Sequence, residues 1–258
     1  MNIIFKSRIL TAFFLCASVP LGFITEAHAA DHTNLEEGLP TEVEDAYPIA
    51  YKGRELQVQA RYERTADGKN RLVLDPRLEY SFARNWQARI NVPFRLGSAD
   101  KTGSGDIGLE AFYNFNTESL STPAFAVSAR ADLPTGKDSR GVDTQFKFIA
   151  TKTLGAGNRL QRLHLNLIYR HNAQAQATEH SNRYAAIVGY SQRLNADTVG
   201  ILDFVREQEL KENKTANILE VGLRRQMTPL RTLAIGAGVG IGQDSPDFRL
   251  TAAFQQSF

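Results

Sequence analysis

RLVLDPRLEYSFARNWQARINVPFR, running from Arg71 to Arg95, is the stretch whose reading decides the fold. Its even positions carry Leu72, Leu74, Pro76, Leu78, Tyr80 and Phe82, then Trp86, Ala88, Ile90, Val92 and Phe94. Its odd positions carry Val73, Asp75, Arg77, Glu79 and Ser81, then Gln87, Arg89, Asn91, Pro93 and Arg95. Strand side chains alternate between two faces, so a hairpin turning at Ala83-Arg84-Asn85 has one greasy face and one charged face. Each arm is about ten residues, longer than the common strand of about five or six. A soluble sheet buries its apolar face in a core. A transmembrane barrel shows the same alternation, with strands near ten residues and aromatic groups at both ends.

The alternation recurs along the chain. Upstream, Leu56, Val58, Ala60 and Tyr62 oppose Gln57, Gln59, Arg61 and Glu63. Downstream, every second residue is apolar in the stretches 107–115, 125–131, 146–150, 163–169, 184–190, 219–223, 233–241 and 248–254. In Thr198 to Arg206 the run Val199-Gly200-Ile201-Leu202 blurs the parity, and its outer face stays open. The total is twelve strands, an even number as in bacterial single-chain barrels. Connections mostly alternate between short (Ala83–Asn85, Gly155–Asn158, Asn195–Asp197, Thr228–Leu230) and long or charged (Gly97–Asp106, Pro134–Asp143, Asn172–Asn182, Glu209–Lys214). Short periplasmic turns and longer external loops give that pattern, and the sheet must close because lipid offers no partner to an open edge. Two aromatic belts follow. Tyr80, Phe82, Trp86, Tyr113, Phe115, Phe125, Phe254 and Phe258 fall at the periplasmic rim; Tyr62, Phe94, Phe146, Tyr169, Tyr184 and Phe248 fall at the external rim. The expected fold is all-β, a twelve-stranded antiparallel up-and-down transmembrane β-barrel after a cleaved signal peptide. Its expected place is the cell outer membrane of a Gram-negative cell, in contact with lipid and lipopolysaccharide.

Residues 1–29 read as the signal peptide: Lys6 and Arg8, an apolar run from Ile9 to Ile24, and an Ala27-His28-Ala29 cleavage site. Cys16 lies in this leader, so the remaining chain has no cysteine for a disulfide or a thiol nucleophile. The apolar run is too short for a spanning helix, which needs about 20 residues, and no later segment approaches that length. The leader holds two of the 30 basic and one of the 28 acidic residues, which leaves 28 against 27. So balanced a chain shows no concentrated basic face for nucleic acid. Residues 30–54 are acidic, and Pro40 and Pro48 break any long helix. Termini are loose unless tied down, so this segment reads as a disordered or periplasmic lead-in. The alternative is a plug-like segment that folds back into the barrel mouth and pairs its carboxylates with luminal arginines. Residues 55–258 form the barrel.

If the even face of the hairpin meets lipid, its odd face lines the lumen. Setting Phe82 opposite Trp86 puts Glu79 opposite Arg89 and Arg77 opposite Asn91. A register with Glu63 opposite Val73 puts Arg61 opposite Asp75. Luminal parity also falls on Glu110, Arg130, Asp132 and Arg170, then on Glu220, Arg224 and Arg249, with His164 and Arg193 beside them. Opposite charges on adjacent strands contribute roughly 0.2–1 kcal/mol per pair. The charged residues from Arg61 to Arg249 are therefore either a ladder that stiffens the barrel or the pore-lining, substrate-contacting set whose arginines attract anionic groups. Gly236, Gly238 and Gly240 form an inward row without side chains, where another backbone could approach.

An enzyme is the rival class, since some barrels of this size hydrolyse lipids. Among His32, His164, His171 and His180 no Ser–His pairing at strand spacing stands out, and no histidine cluster has metal spacing. No catalytic residue, metal or cofactor is expected. A structural or adhesive barrel is a third class, and the modest loops argue against it.

Gly103-Ser104-Gly105-Asp106-Ile107-Gly108-Leu109, running into a strand that ends Phe112-Tyr113-Asn114-Phe115, resembles the GxGDxxL-strand signature of the meta-pathway of phenol degradation family. Leu133-Pro134-Thr135-Gly136-Lys137 is similar to that family's LPTG-type step. Phe258 resembles the terminal aromatic residue that the barrel-assembly machinery reads, although Gln256 departs from the apolar residue usual in that signal. The resemblance implies an outer-membrane channel or transporter for passive uptake of small, hydrophobic or aromatic solutes.

Overall fold

The computed structural model describes residues 30–137, 139–155 and 159–258. The signal peptide expected at residues 1–29 and most of the turn expected at Gly155-Ala156-Gly157-Asn158 lie outside the described residues. Twelve strands follow one another: β1 Arg54–Arg64, β2 Asn70–Ala83, β3 Trp86–Asn91 resumed at Phe94–Gly97, and β4 Ile107–Asn114 after a short Gly103–Ser104 pairing. Next come β5 Ala124–Leu133, β6 Asp143–Thr153, β7 Gln161–His171 and β8 Asn182–Asn195. The last four are β9 Thr198–Gln208, β10 Thr215–Thr228, β11 Arg231–Gly240 and β12 Phe248–Ser257. Each pairs antiparallel with the next, and β1 pairs with both β2 and β12, so no edge is left open. Closure gives every strand a backbone partner on both sides, as hydrocarbon demands. No helix among the described residues is long and apolar enough to cross a membrane; the strands make the crossing.

The β2–β3 hairpin pairs Glu79 with Arg89 and Arg77 with Asn91, as parity required. It breaks only at Val92-Pro93, where proline has no N–H to donate, and resumes in the same register with Leu74 opposite Phe94. Two expected pairings are corrected. At the turn Ala83, not Phe82, faces Trp86, because the ladder shifts by one residue after Tyr80 and Asn85 takes a φ of 66°. In β1–β2, Arg61 faces Val73, Asp75 faces Gln59, and Glu63 faces Arg71. That is a slide of two residues, which leaves every side chain on its expected face. The tight turn from Thr65 to Lys69 sets it, and it brings Arg71 within 2.8 Å of Glu63. The blurred strand β9 points Val199, Ile201, Asp203 and Val205 inward, with Leu202 and Phe204 outward.

Both aromatic belts form. At the periplasmic rim Phe82, Trp86, Tyr113 and Phe115 make a chain of rings with centroids 6.0, 4.6 and 5.2 Å apart. At the external rim Tyr62 meets Phe248 at 5.8 Å and Tyr169 meets Tyr184 at 5.4 Å. The apolar outer face is exposed, as a lipid-facing surface is: Ile235 is 62 % and Val221 56 % accessible.

The interior is filled. The segment before β1 starts at the Pro229 turn, where the Ala30 N–H donates to the Pro229 carbonyl at 2.7 Å. It loops up the lumen and returns at the same end, where the Lys52 N–H donates to the Ser81 carbonyl at 2.8 Å. Leu35, Leu39, Val43, Ala46 and Ile49 on it are all buried. The loose periplasmic lead-in that its composition suggested thus gives way to an ordered inward loop, because the wall offers its backbone and carboxylates partners that water would otherwise supply.

The two glycine-bearing motifs interlock at the external rim. Gly136 N–H donates to Asp106 Oδ1 at 2.9 Å, Ile107 N–H to Thr135 Oγ1 at 3.0 Å, and Lys137 N–H to the Ser104 carbonyl at 3.0 Å. A Cβ on Gly136 would fall 2.7 Å from the Gly105 carbonyl oxygen, so only glycine lets the two loops meet. Gly136→Val should separate them. Limited proteolysis of the folded protein should then cut the loops at 97–106 and 134–143 faster, while the barrel keeps its heat-modifiable gel mobility. An unchanged cleavage rate would contradict this account of the motifs.

Candidate solute site in the barrel lumen

The strand alternation that sends apolar residues to lipid sends charged ones inward, and the lumen brings them together around the inserted segment. Arg89 on β3 is the hub. It reaches Glu79 on β2, Glu110 on β4 at 2.9 Å and Glu44 of the segment at 3.1 Å. Lys147 on β6 holds Glu37 at 2.6 Å and also Glu44. Arg249 on β12 bridges Glu63 at 2.9 Å, Glu220 at 3.1 Å and Glu42 at 3.3 Å, and Arg61 pairs with Glu42. Arg77 binds Asp75 at 2.8 Å and the Glu37 carbonyl at 2.5 Å.

Polar side chains of the wall hold the segment's backbone. The Val43 N–H donates to Asp203 Oδ2 at 2.8 Å, the Glu44 N–H to Asn166 Oδ1 at 2.8 Å, the Ala46 N–H to Thr151 Oγ1 at 3.0 Å and the Ile49 N–H to Gln87 Oε1 at 2.8 Å. Glycines make room for it. A Cβ on Gly189 would lie 2.7 Å from Val43 Cγ2, and one on Gly236 would lie 2.9 Å from the Pro40 carbonyl oxygen. Of the inward glycine row, Gly236 alone meets the segment in this way; Gly238 faces Glu220 and Gly240 faces the Pro246 carbonyl.

All the sequence-derived candidates point inward, in three different settings. Glu79, Arg89, Glu110, Asp75, Arg77, Arg61, Glu220 and Arg249 are joined to one another or to the segment, as above. Arg224 is buried and donates to Gln255. Arg130, Asp132 and Arg170 line an external cavity of about 290 Å³ whose floor is Glu37. There Arg130 pairs with Asp132 at 2.7 Å and Arg170 with Glu207 at 3.3 Å. Arg61 does not meet Asp75, because of the β1–β2 slide. Lys147, Asp203 and Asn166 join the site without having been among the candidates, and the acidic residues 36–45 meet luminal arginines as the plug-like alternative expected. A second cavity of about 360 Å³ opens at the periplasmic end between Asp45, Tyr47, Arg54 and Arg162. A concavity of about 1000 Å³ lies on the lipid-facing wall between Trp86, Tyr113, Phe146 and Tyr184.

Burial sets the titration of the segment. Asp45 is pushed up to about 7 by desolvation, which outweighs Arg162 at 3.5 Å. Glu36 is likewise pushed up to about 7 by burial, with Glu55 adding to it and Arg224 and Arg89 opposing. For Glu37 burial acts upward too, but Lys147 and Arg170 win and hold it well below the usual carboxylate range. Glu42 is lowered in the same way, burial being overcome by Arg61 and Arg249.

Two arrangements bear on chemistry. Among the described residues, carboxylate oxygens of Glu36, Glu55 and Glu79 lie within 4.8 Å of one another. Gln57 donates to Glu36, Gln255 to Glu55 at 2.5 Å, and Ser257 to Glu55 at 3.0 Å, so this trio is a hydrogen-bonded latch between segment and wall. His164 Nε2 lies 2.9 Å from Ser191 Oγ, a pairing between neighbouring strands that sequence spacing did not show. Its other nitrogen meets Thr151 Oγ1 at 3.1 Å rather than a carboxylate, and His164 is 2 % accessible. A serine hydrolase needs a base oriented beside a reachable nucleophile. Both side chains of this pair are buried, and no carboxylate orients the imidazole.

The structure is similar to the COG4313 outer membrane channel from Pseudomonas putida F1, with a TM-score of 0.65 at 14 % identity over 87 % of this chain and 100 % of that one. It is similar to the NanC porin, at 0.58 and 13 % over 78 % and 98 %, and to Omp33 of Acinetobacter baumannii, at 0.53 and 7 % over 80 % and 98 %. At such identities the likeness is one of fold, that of outer-membrane barrels, and the outer membrane is where this chain resides. No curated protein matches it in sequence. Residues 73–258 match the family described as "Putative MetA-pathway of phenol degradation", and the chain belongs to that family.

Proposed function

We propose that this protein is an outer-membrane channel for passive movement of small solutes, and that residues 30–53 are its plug. The observation that carries the reading is a closed, charge-lined barrel whose lumen holds a segment of its own chain, entered and left from the periplasmic end. That geometry lets the plug swing out without unthreading the barrel. The proteins of similar fold bear the names of channels and porins, which supports transport over hydrolysis or adhesion. The family description names phenol degradation, which supports aromatic or other hydrophobic compounds as the solutes. Around the barrel we place lipid and lipopolysaccharide, with the barrel-assembly machinery engaging the strand end at Phe258.

Planar-bilayer recording tests this directly. Replacing Glu37, Glu42 and Glu44 together by Gln removes the anionic partners of Lys147, Arg61, Arg249 and Arg89. Breaking one buried pair costs about 3–5 kcal/mol through the charge left behind, so the plug should lose its seat. The expected result is a rise in open-channel occupancy with heat-modifiable mobility retained. Conductance unchanged from that of the parent protein would contradict the plug.

Acidity should modulate the same equilibrium. A free carboxyl titrates near about 4, whereas seated Asp45 and Glu36 titrate at about 7. Their protonated forms therefore favour seating, and this contribution is lost as the pH climbs through 7. Glu37 and Glu42, shifted downward, weaken seating only when strong acid protonates them. Open occupancy should accordingly rise between about pH 5 and about pH 7.5. A fall over that range, or no change, would contradict the assignment.

A further inference from the structure

The lumen has two unlike walls, and the plug touches both with three consecutive residues. Glu42 pairs with Arg61 and Arg249, and Glu44 with Arg89 and Lys147. Between them, Val43 packs with Leu35 onto an inward apolar patch of Ile168, Ile187, Ile201, Val205 and Ile218 on β7 to β10. Strand alternation alone does not require this patch. A smaller apolar cluster, Phe112, Ala126 and Ile149 with Ala46, lies across the lumen, but the Ile168–Ile218 patch is the one that adjoins the paired Glu42 and Glu44 and so sets an apolar surface beside cationic side chains. Asp203, in the same patch, takes the Val43 N–H, and its other carboxylate oxygen is buried without a partner.

We propose that the transported solutes are amphipathic organic acids, an apolar or aromatic body carrying a carboxylate, and that they compete with Glu44 and Val43 of the plug. The carboxylate takes the place of the Glu44 side chain on Arg89 and Lys147, and the body takes the place of Val43 on the patch. The external cavity leads to this seat: Arg130 and Arg170 line it, and its floor, Glu37, is itself bound to Lys147. Arg95, Arg130, Arg170 and Arg183 line that cavity beside Asp106, Asp132 and Asp143, so an acid arriving from outside exchanges with paired arginines first and with the plug's own ion pairs next. A neutral ring can fill the patch but cannot replace Glu44. A small carboxylate can replace Glu44 but cannot fill the patch. Only the combination offsets both footholds.

This rests on the channel reading above, and one experiment separates the two. The full chain is recorded in a planar bilayer with benzoate, benzamide, acetate or benzylamine added on the external side. Alongside it, the Glu37→Gln/Glu42→Gln/Glu44→Gln protein is recorded without ligand. Benzoate should raise open occupancy about tenfold more than benzamide or acetate, the factor that one charge-assisted contact or a buried ring contributes. Benzylamine should have no effect. Equal opening by acetate removes the apolar wall from the argument, and equal opening by benzamide removes the carboxylate; either overturns the proposal. If no ligand opens the parent protein while the triple variant conducts, the substrate class is wrong and the channel stands. If the triple variant, folded by gel mobility, also fails to conduct, the channel reading falls and this proposal falls with it.

Discussion

A charge taken out of water must find an opposite charge or enough hydrogen bonds, and in this barrel the requirement is met across two parts of the chain. The wall alone does not satisfy Lys147, whose two carboxylate partners, Glu37 and Glu44, both belong to the inserted segment. The segment alone would leave five acidic side chains between residues 36 and 45 without cations. Their union explains why a proline-broken, acidic stretch is ordered at all. It also makes the order conditional: removing one partner of a buried pair is costly, whereas withdrawing the whole segment into water lets both sides hydrate. The interaction that stabilises the closed lumen is therefore one that can be exchanged.

The barrel itself was legible from a single physical rule. Because the strand period is two and one face must meet hydrocarbon, residues such as Glu79, Arg89 and Arg249 could be sent inward from parity alone. The rule has definite blind spots. Parity does not change on a slide of two residues, so it could not tell Asp75 opposite Arg61 from Asp75 opposite Gln59. It failed on β9 because both faces there are apolar, Leu202 and Phe204 towards lipid and Ile201 and Val205 towards the inserted segment. It could not see the segment, which has no period of its own. The partners of that segment lie far along the chain, as Glu44 does from Asn166 and Val43 from Asp203.

The motifs that carried the family resemblance have a local task. They knit the two long loops at the external rim, and Gly108 leaves space for the Arg130 guanidinium to lie across β4. The same corner thus fixes one side of the external cavity. The external cavity, the plug's ion pairs and the tether at the Pro229 turn follow one another from the external rim to the periplasmic end. Each follows from where alternation and close packing put side chains.

The central claim is that residues 30–53 sit in the lumen and leave it when the channel opens. Cysteines at Val43 and Gly189 test it most directly, since Cys16, in the stretch expected to be a signal peptide, is the chain's one native cysteine. A Cβ built on Gly189 lies 3.0 Å from Val43 Cβ, within a small adjustment of the roughly 3.5–4.5 Å a disulfide spans. The account predicts that the oxidised double variant is silent in a planar bilayer and that a reductant restores openings. A disulfide that fails to form in the folded barrel, or one that forms and leaves conductance intact, would contradict it.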